Sequence, residues 1–332
     1  MTALLQQIRR SIRRHGLLPS GARVVVALSG GSDSVALTVL LSELAPTLGF
    51  TIVSLAHFNH RLRATADRDE RFCRDFAAGL GLPIAIAAAD VQRYAASERL
   101  SFEGAARRAR YTFLHGIARD AGADRIAVGH TRDDQAETLL LKLVRGAGLS
   151  GLGGVYPERG LLIRPLLDAA RGDLRAYLGE RGQSWVEDES NENVINPRNR
   201  IRHRVIPELE LAYPGAVRAM ARAAAVSRED GQWLDDLARR RFEDLAVTRP
   251  EPGTAAGGTR GGLELDAAAV RAEPLPLQRR IVLAAIRMLA GGREAGLDHV
   301  EMVLDVLAGD AGGADLPGCR VELRRGKLVL LK

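Results

Sequence analysis

Through most of its length, the chain alternates between short apolar runs and longer stretches with apolar positions every three or four residues. Aliphatic and β-branched runs recur at 24–28, 51–56, 84–88, 125–129 and 161–164, with helical text between them. This alternation predicts an α/β domain with a doubly wound, mostly parallel five-stranded sheet covered by helices on both faces. Ahead of the first strand, Leu4, Leu5, Ile8 and Ile12 fall at helical spacing and predict an amphipathic helix laid on that domain. Beyond Pro214 the text becomes arginine- and alanine-rich and helical over 215–246. A glycine-rich loop expected to be mobile follows at 249–262, then helices at about 276–290 and 297–308, then a hairpin turning near Arg325 and Gly326. The expected boundary lies near 215, giving one domain over 1–214 and a smaller, mainly helical one over 215–332.

In open sheets of this kind ligands bind where the winding reverses, so the loops after the first and fourth strands are the ones to compare. After the first, Val24 to Leu28 lead into Ser29, Gly30, Gly31, Ser32, Asp33 and Ser34, and Val35 to Leu44 reads as helix. Adjacent glycines turn the backbone without a Cβ penalty, so N–H groups and the hydroxyls of Ser29 and Ser34 can converge on one anion at a helix N-terminus. A phosphate is the natural ligand. Asp33 would repel it unless a divalent cation lies between them, which makes Asp33 the candidate metal ligand. The plainer alternative is a helix start with Asp33 as a first-turn acid.

The loop after the fourth strand opens GHTRDDQAETLLLKLVR, residues 129–145. Ala136, Leu139, Leu140, Leu143 and Val144 form the expected buried stripe, while His130, Asp134 and Glu137, at i, i+4 and i+7, share another side. Two carboxylates three residues apart repel mildly, which suggests that they face a cation, either a metal or an ammonium group. A solvated acidic first turn is the alternative. Residues 146–151 spell GxGxxG but follow a helix rather than a strand, so they read as a flexible loop beside the site.

Composition narrows the classes. The chain has 332 residues, 46% of them hydrophobic and 4% aromatic, enough for two domains with aliphatic cores. Its net charge of +6 and pI near 9.8 suit a polyanionic partner, although an arginine-rich composition alone gives the same figures. Two distant cysteines, Cys73 and Cys319, argue against a disulfide scaffold or a zinc knuckle and fit a reducing cytoplasm. No apolar run is long enough to span a bilayer, so no membrane partner is expected. Arg198, Arg200, Arg202 and Arg204 can track phosphates or form a solvated basic face. His57, Asn59, His60, Arg61 and Arg63 read as a polar loop after the second strand.

The run SGGSDS resembles the SGGxDS pyrophosphate loop of the N-type ATP pyrophosphatases. Five further segments resemble the tRNA(Ile)-lysidine synthetases in the same order and at similar spacing: HFNHRLR (57–63), EGAARRARYTFL (103–114), GHTRDDQAETLLLKLVRGAGLSGLGG (129–154), RPLLDAARGDLRAYL (164–178) and WVEDESNENVINPRNRIRHRVIP (185–207). The likeness covers most of 20–215 and thins beyond it to the presence of a small following domain; the extra C-terminal domain of longer members is expected to be absent. It implies ATP- and Mg²⁺-dependent ligation of L-lysine to the wobble cytidine of a tRNA(Ile) with a CAU anticodon, through an adenylated cytidine. Carried over by residue, it places ATP on Ser29, Gly30, Gly31, Ser32, Asp33 and Ser34, with the metal on Asp33. Arg110 is then the cation beside the transferring phosphate, Asp134 and Glu137 hold the substrate lysine, and His130 organises the adenylate or the cytosine. His57, Arg61, Arg63, Arg198, Arg200, Arg202 and Arg204 face the tRNA. A lone histidine at a strand end is as often structural as catalytic, so His130 stays open between the two. A pyrimidine thiolase of the same superfamily would need reactive cysteines, and a non-catalytic tRNA-binding protein would have no use for Asp33 and Glu137 together. The oligomeric state is left open, a homodimer included.

Overall fold

The computed structural model describes residues 2–59, 66–89, 91–98, 101–187, 196–248 and 262–332. It divides into two compact units, Met1–Arg228 and Glu229–Lys332, and the division falls inside a helix that begins at Ala216.

The first unit runs α1 (Ala3–Arg14), β1 (Arg23–Ala27), α2 (Ser32–Leu48), β2 (Thr51–Asn59), α3 (Ala66–Gly79), β3 (Ile84–Ala88), α4 (Val91–Glu98), α5 (Phe102–Asp120) and β4 (Arg125–Ala127). It continues with α6 (Arg132–Leu143), α7 (Leu149–Leu152), β5 (Glu158–Arg159), β6 (Leu162–Ile163), α8 (Arg171–Gly179), α9 (Pro197–Arg200), a π-helical turn at Ile201–Val205, and α10 (Ile206–Ala212). The strands order as β3-β2-β1-β4-β6-β5, parallel throughout except for β5, which runs against β6. Five of the six are the runs that the apolar pattern predicts. The sixth, β5, is two exposed charged residues and carries no hydrophobic pattern to read.

Strand alternation explains the valine run. Val24 and Val26 enter a core shared with α1, α2, α3 and α8, while Val25 between them faces Leu114 and Ala118 of α5 on the other side. On α1, Leu5, Ile8 and Ile12 are buried as their spacing predicts. Because β1 lies between β2 and β4, the strand order reverses there, and the loops after β1 and β4 open side by side.

The second unit takes in the latter part of α11 (Ala216–Leu245), then β7 (Ala246–Thr248), β8 (Leu263–Asp266), α12 (Ala267–Ala272), α13 (Leu275–Leu289), α14 (Leu297–Ala308), β9 (Gly313–Leu316), β10 (Cys319–Arg324) and β11 (Lys327–Leu331). Its strands form an antiparallel sheet, β7-β8-β11-β10-β9, packed on α13 and α14 through residues such as Ile281, Ile286, Val303 and Leu328. The predicted hairpin is present, turning through Arg325 and Gly326 at φ of 48° and 77°. The remaining strands were too short to stand out from the surrounding text. Of the expected loop at 249–262, all but Gly262 lies outside the described residues.

Candidate active site

The loop after β1 turns at Gly30, whose φ of +90° would strain any other residue. Ser34 ties the turn together: its Oγ accepts from the Ser29 N–H at 3.1 Å, donates to the Gly31 carbonyl at 2.9 Å and lies 3.1 Å from Ser29 Oγ. Gly31 stands at the N-cap of α2 without a capping side chain, so the first N–H groups of the helix are left to an anion. Val186 closes the loop from outside, donating its N–H to the Gly30 carbonyl at 2.9 Å.

His57 supports this loop from below. It lies inside β2, which continues to Asn59, and not in a loop after the strand. Only 4% exposed, it donates Nδ1–H to the Leu28 carbonyl at 2.9 Å, with Cys73 Sγ 3.3 Å from the same nitrogen. Burial lowers the pKa of His57 and pushes the Cys73 thiol up to about 12. The expectation that His57 meets tRNA is therefore corrected: its ring faces the core and holds the strand end beneath the glycines. Arg61 and Arg63 lie outside the described residues.

After β4, Thr131 caps α6. Asp134 closes a capping box, its Oδ2 accepting from the Thr131 N–H at 2.8 Å and the Thr131 hydroxyl at 2.9 Å. His130 thus precedes the helix instead of sharing its face, whereas Asp134 and Glu137 do share one, and it is buried. The expected apolar stripe is correct at Ala136 and Leu139 but not at Leu143 and Val144, which are 54% and 77% exposed. The glycine loop that follows is anchored at its far end, where Gln135 Oε1 accepts from the Val155 N–H at 2.6 Å and Lys142 Nζ donates to the Gly154 carbonyl at 3.1 Å.

The two loops meet at Gly129. A Cβ there would sit 3.2 Å from the backbone carbonyl of Asp33 and 3.3 Å from the Ser34 nitrogen, so glycine allows an approach that any side chain would widen by a few tenths of an ångström. Arg171, the first residue of α8, bridges the same junction. Its Nε donates to Asp33 Oδ2 at 3.1 Å, its Nη2 to Asp134 Oδ1 at 3.3 Å, and its Nη1 lies 3.6 Å from Glu137 Oε1. Arg198 Nε reaches Glu137 Oε2 at 2.7 Å and its Nη2 reaches Asp134 Oδ1 at 3.0 Å; Arg202 Nε reaches Glu137 Oε1 at 2.6 Å. Three guanidinium groups therefore close on three carboxylates. The cation that the acidic spacing calls for is, in this structure, arginine.

The charges respond accordingly. Burial opposes ionisation of Asp134, but Arg171, His130 and Arg198 outweigh it and hold the pKa at about 2. Burial dominates at Asp33 and raises its pKa in spite of Arg171. His130 is desolvated and lies within electrostatic reach of Arg164, Arg110 and Arg198; despite the opposing pull of Asp134 its pKa falls to about 4, so the ring is neutral. Arg198 and Arg202 turn inward, whereas Arg200 and Arg204 are exposed. Sequence reasoning left Arg171 and Arg164 without roles although both stand in the RPLLDAARGDLRAYL segment. No local spacing could bring Arg171 to Asp33, 138 positions away.

The PP-loop domain model matches residues 3–209. The tRNA(Ile)-lysidine synthase of Geobacter sulfurreducens is 40% identical over 91% of this chain and 62% of its own length. That of Symbiobacterium thermophilum is 39% identical over 98% and 68%, and that of Chlorobaculum tepidum 35% over 94% and 91%. The chain belongs to the tRNA(Ile)-lysidine synthase family. As a member of that family it spans less than two thirds of the Geobacter protein and nearly all of the Chlorobaculum one. The U34-tRNA thiolase NcsA of Methanococcus maripaludis shares the fold, with a TM-score of 0.57 at 17% identity over 68% of this chain and 77% of that one.

Among the described residues of this lysidine synthase relative, no three or more His, Cys, Asp or Glu side chains are grouped to hold a metal. A carboxylate beside a phosphate cradle fits Mg²⁺, which takes one or two carboxylates and completes its shell with phosphate oxygens and water. Asp33 has that place, and in this structure its carboxylate accepts from Arg171. Among the described residues no helix is long and apolar enough to cross a membrane.

Proposed function

We propose that this chain uses ATP to join L-lysine to carbon 2 of the wobble cytidine of a tRNA(Ile) with a CAU anticodon, in the cytoplasm. The carbonyl oxygen at carbon 2 cannot leave as it stands. It attacks the α-phosphorus of ATP and expels pyrophosphate; the lysine ε-amine, having lost a proton, then adds at carbon 2 and AMP departs with the oxygen. Ser29, Gly30, Gly31, Ser32 and Ser34 hold the phosphates at the start of α2, where positioning and electrostatics supply most of the catalysis. Asp33 would hold Mg²⁺, which would neutralise charge developing on the triphosphate. Arg110 stands by the transferring phosphate, and Asp134 and Glu137 receive the lysine side chain, whose ammonium takes over the places now filled by guanidinium groups. Arg200 and Arg204, both exposed, meet tRNA phosphates.

The observation behind this reading is the junction at Gly129, where an anion cradle and a buried carboxylate pair lie within the span of one guanidinium group. A thiolase is disfavoured because Cys73 and Cys319 are both buried and burial raises both thiol pKa values. Incubation with labelled lysine, ATP, Mg²⁺ and unmodified tRNA(Ile) tests the proposal. Label should enter the tRNA with release of AMP and pyrophosphate, and Asp33→Ala should lose about 10²-fold or more in adenylation while still binding tRNA. A tRNA that stays unlabelled under these conditions rejects the lysine reading.

A further inference from the structure

We propose that Arg164 fixes the tautomer of His130, so that the ring meets substrate as an uncharged Nε2–H donor. Arg164 Nε lies 3.3 Å from His130 Nδ1. A guanidinium group has donors only, so Nδ1 must present its lone pair and the single proton of the neutral ring must sit on Nε2. Sheet pairing sets this geometry. Leu162 and Ile163 of β6 pair with Ile126 and Ala127 of β4, and the Val128 N–H donates to the Ile163 carbonyl at 3.0 Å, so Arg164 and His130 leave neighbouring strands at the same edge. Arg164 is held in turn by the Tyr156 carbonyl, which accepts from Nη1 at 2.6 Å.

The same contact excludes the imidazolium form. Arg164 is 4% exposed, and among the described residues it forms no ion pair with a carboxylate. A proton on Nδ1 would set two cations 3.3 Å apart with no anion between them. The other charged groups bearing on the ring are Asp134 of α6, which favours the cation, and Arg110 of α5 and Arg198 of α9, which oppose it. Arg164 is thus a positioning residue. On the reading proposed above, His130 donates to a substrate oxygen, carbonyl or phosphate, and does not take the proton from the lysine ammonium; that consequence rests on the reading, whereas the tautomer does not.

Two-bond nitrogen–proton NMR spectra of ¹⁵N-histidine-labelled protein test it, with His130→Gln identifying the His130 signals among the seven histidines. The unaltered protein should show a bare, pyridine-like Nδ1 and a protonated Nε2, unchanged from neutral pH to about pH 5. Arg164→Met should mix the tautomers and move the titration up toward the ordinary ~6.5, and Arg164→Lys, which still donates, should restore the Nε2–H form. A protonated Nδ1 at neutral pH in the unaltered protein overturns the proposal even if the Met variant fails to fold, and so does a folded Met variant with an unchanged ring. The spectra read the ring and not turnover, so a protein that failed to make lysidine would still answer.

Discussion

His130 and Asp134 both make the first unit less stable in acid, in different windows. The folded pKa of His130 is depressed to about 4, so below its unfolded value of ~6.5 the unfolded chain takes up a proton that the folded chain refuses. Stability present above that value is lost as the pH falls toward 4. Asp134, at about 2 in the fold, contributes above its unfolded pKa of ~3.9 and loses that contribution only as the pH drops below it. The two windows barely overlap. Between about pH 7 and pH 5, urea denaturation should show the unaltered protein losing about 2 kcal/mol more than His130→Gln. Equal losses would mean that the ring is not desolvated as described. Glu137 is fully buried between Arg198 and Arg202, and removing one partner from such a group leaves the others uncompensated.

At the level of elements, the site is made by two helix starts brought together by a glycine. The starts of α2 and α6 each follow a parallel strand, and neighbouring strands set them side by side. Gly129 then decides how closely they approach. In Gly129→Ala the added methyl would meet the Asp33 carbonyl at 3.2 Å, so backbone must shift at the phosphate loop. Since a displacement of about 1 Å can cost ~10²-fold and the shift needed here is only a few tenths of an ångström, kcat/KM for ATP should fall by roughly 3- to 10-fold while the far-ultraviolet circular dichroism stays the same. Retained activity would show that the junction tolerates a wider gap. Thr131 matters for a related reason: its capping box orients Asp134 before any ligand arrives.

Across the whole molecule, each unit has its own apolar core and the chain carries a net charge of +6. Much of the arginine behind that figure is already engaged: Arg171, Arg198 and Arg202 neutralise the site, and in the second unit Arg241 pairs with Glu273. The proposed RNA-facing charge therefore falls to exposed residues such as Arg200 and Arg204. Replacing both with Ala should weaken tRNA binding and lower the slope of log K against log salt by about 2, one for each phosphate that is no longer neutralised. An unchanged slope would move the RNA elsewhere on the surface. Much of this was legible in one dimension. The apolar runs named the five parallel strands, their order placed the two ligand loops at the reversal of winding, and the spacing of Asp134 and Glu137 marked a cation site, because strand and helix periods and glycine chemistry are local properties. The identity of that cation was not legible, nor was the burial of His57 or the partnership of Arg164 with His130. Those depend on residues 29 to 138 positions apart, and only the packed sheet brings such groups within hydrogen-bonding distance.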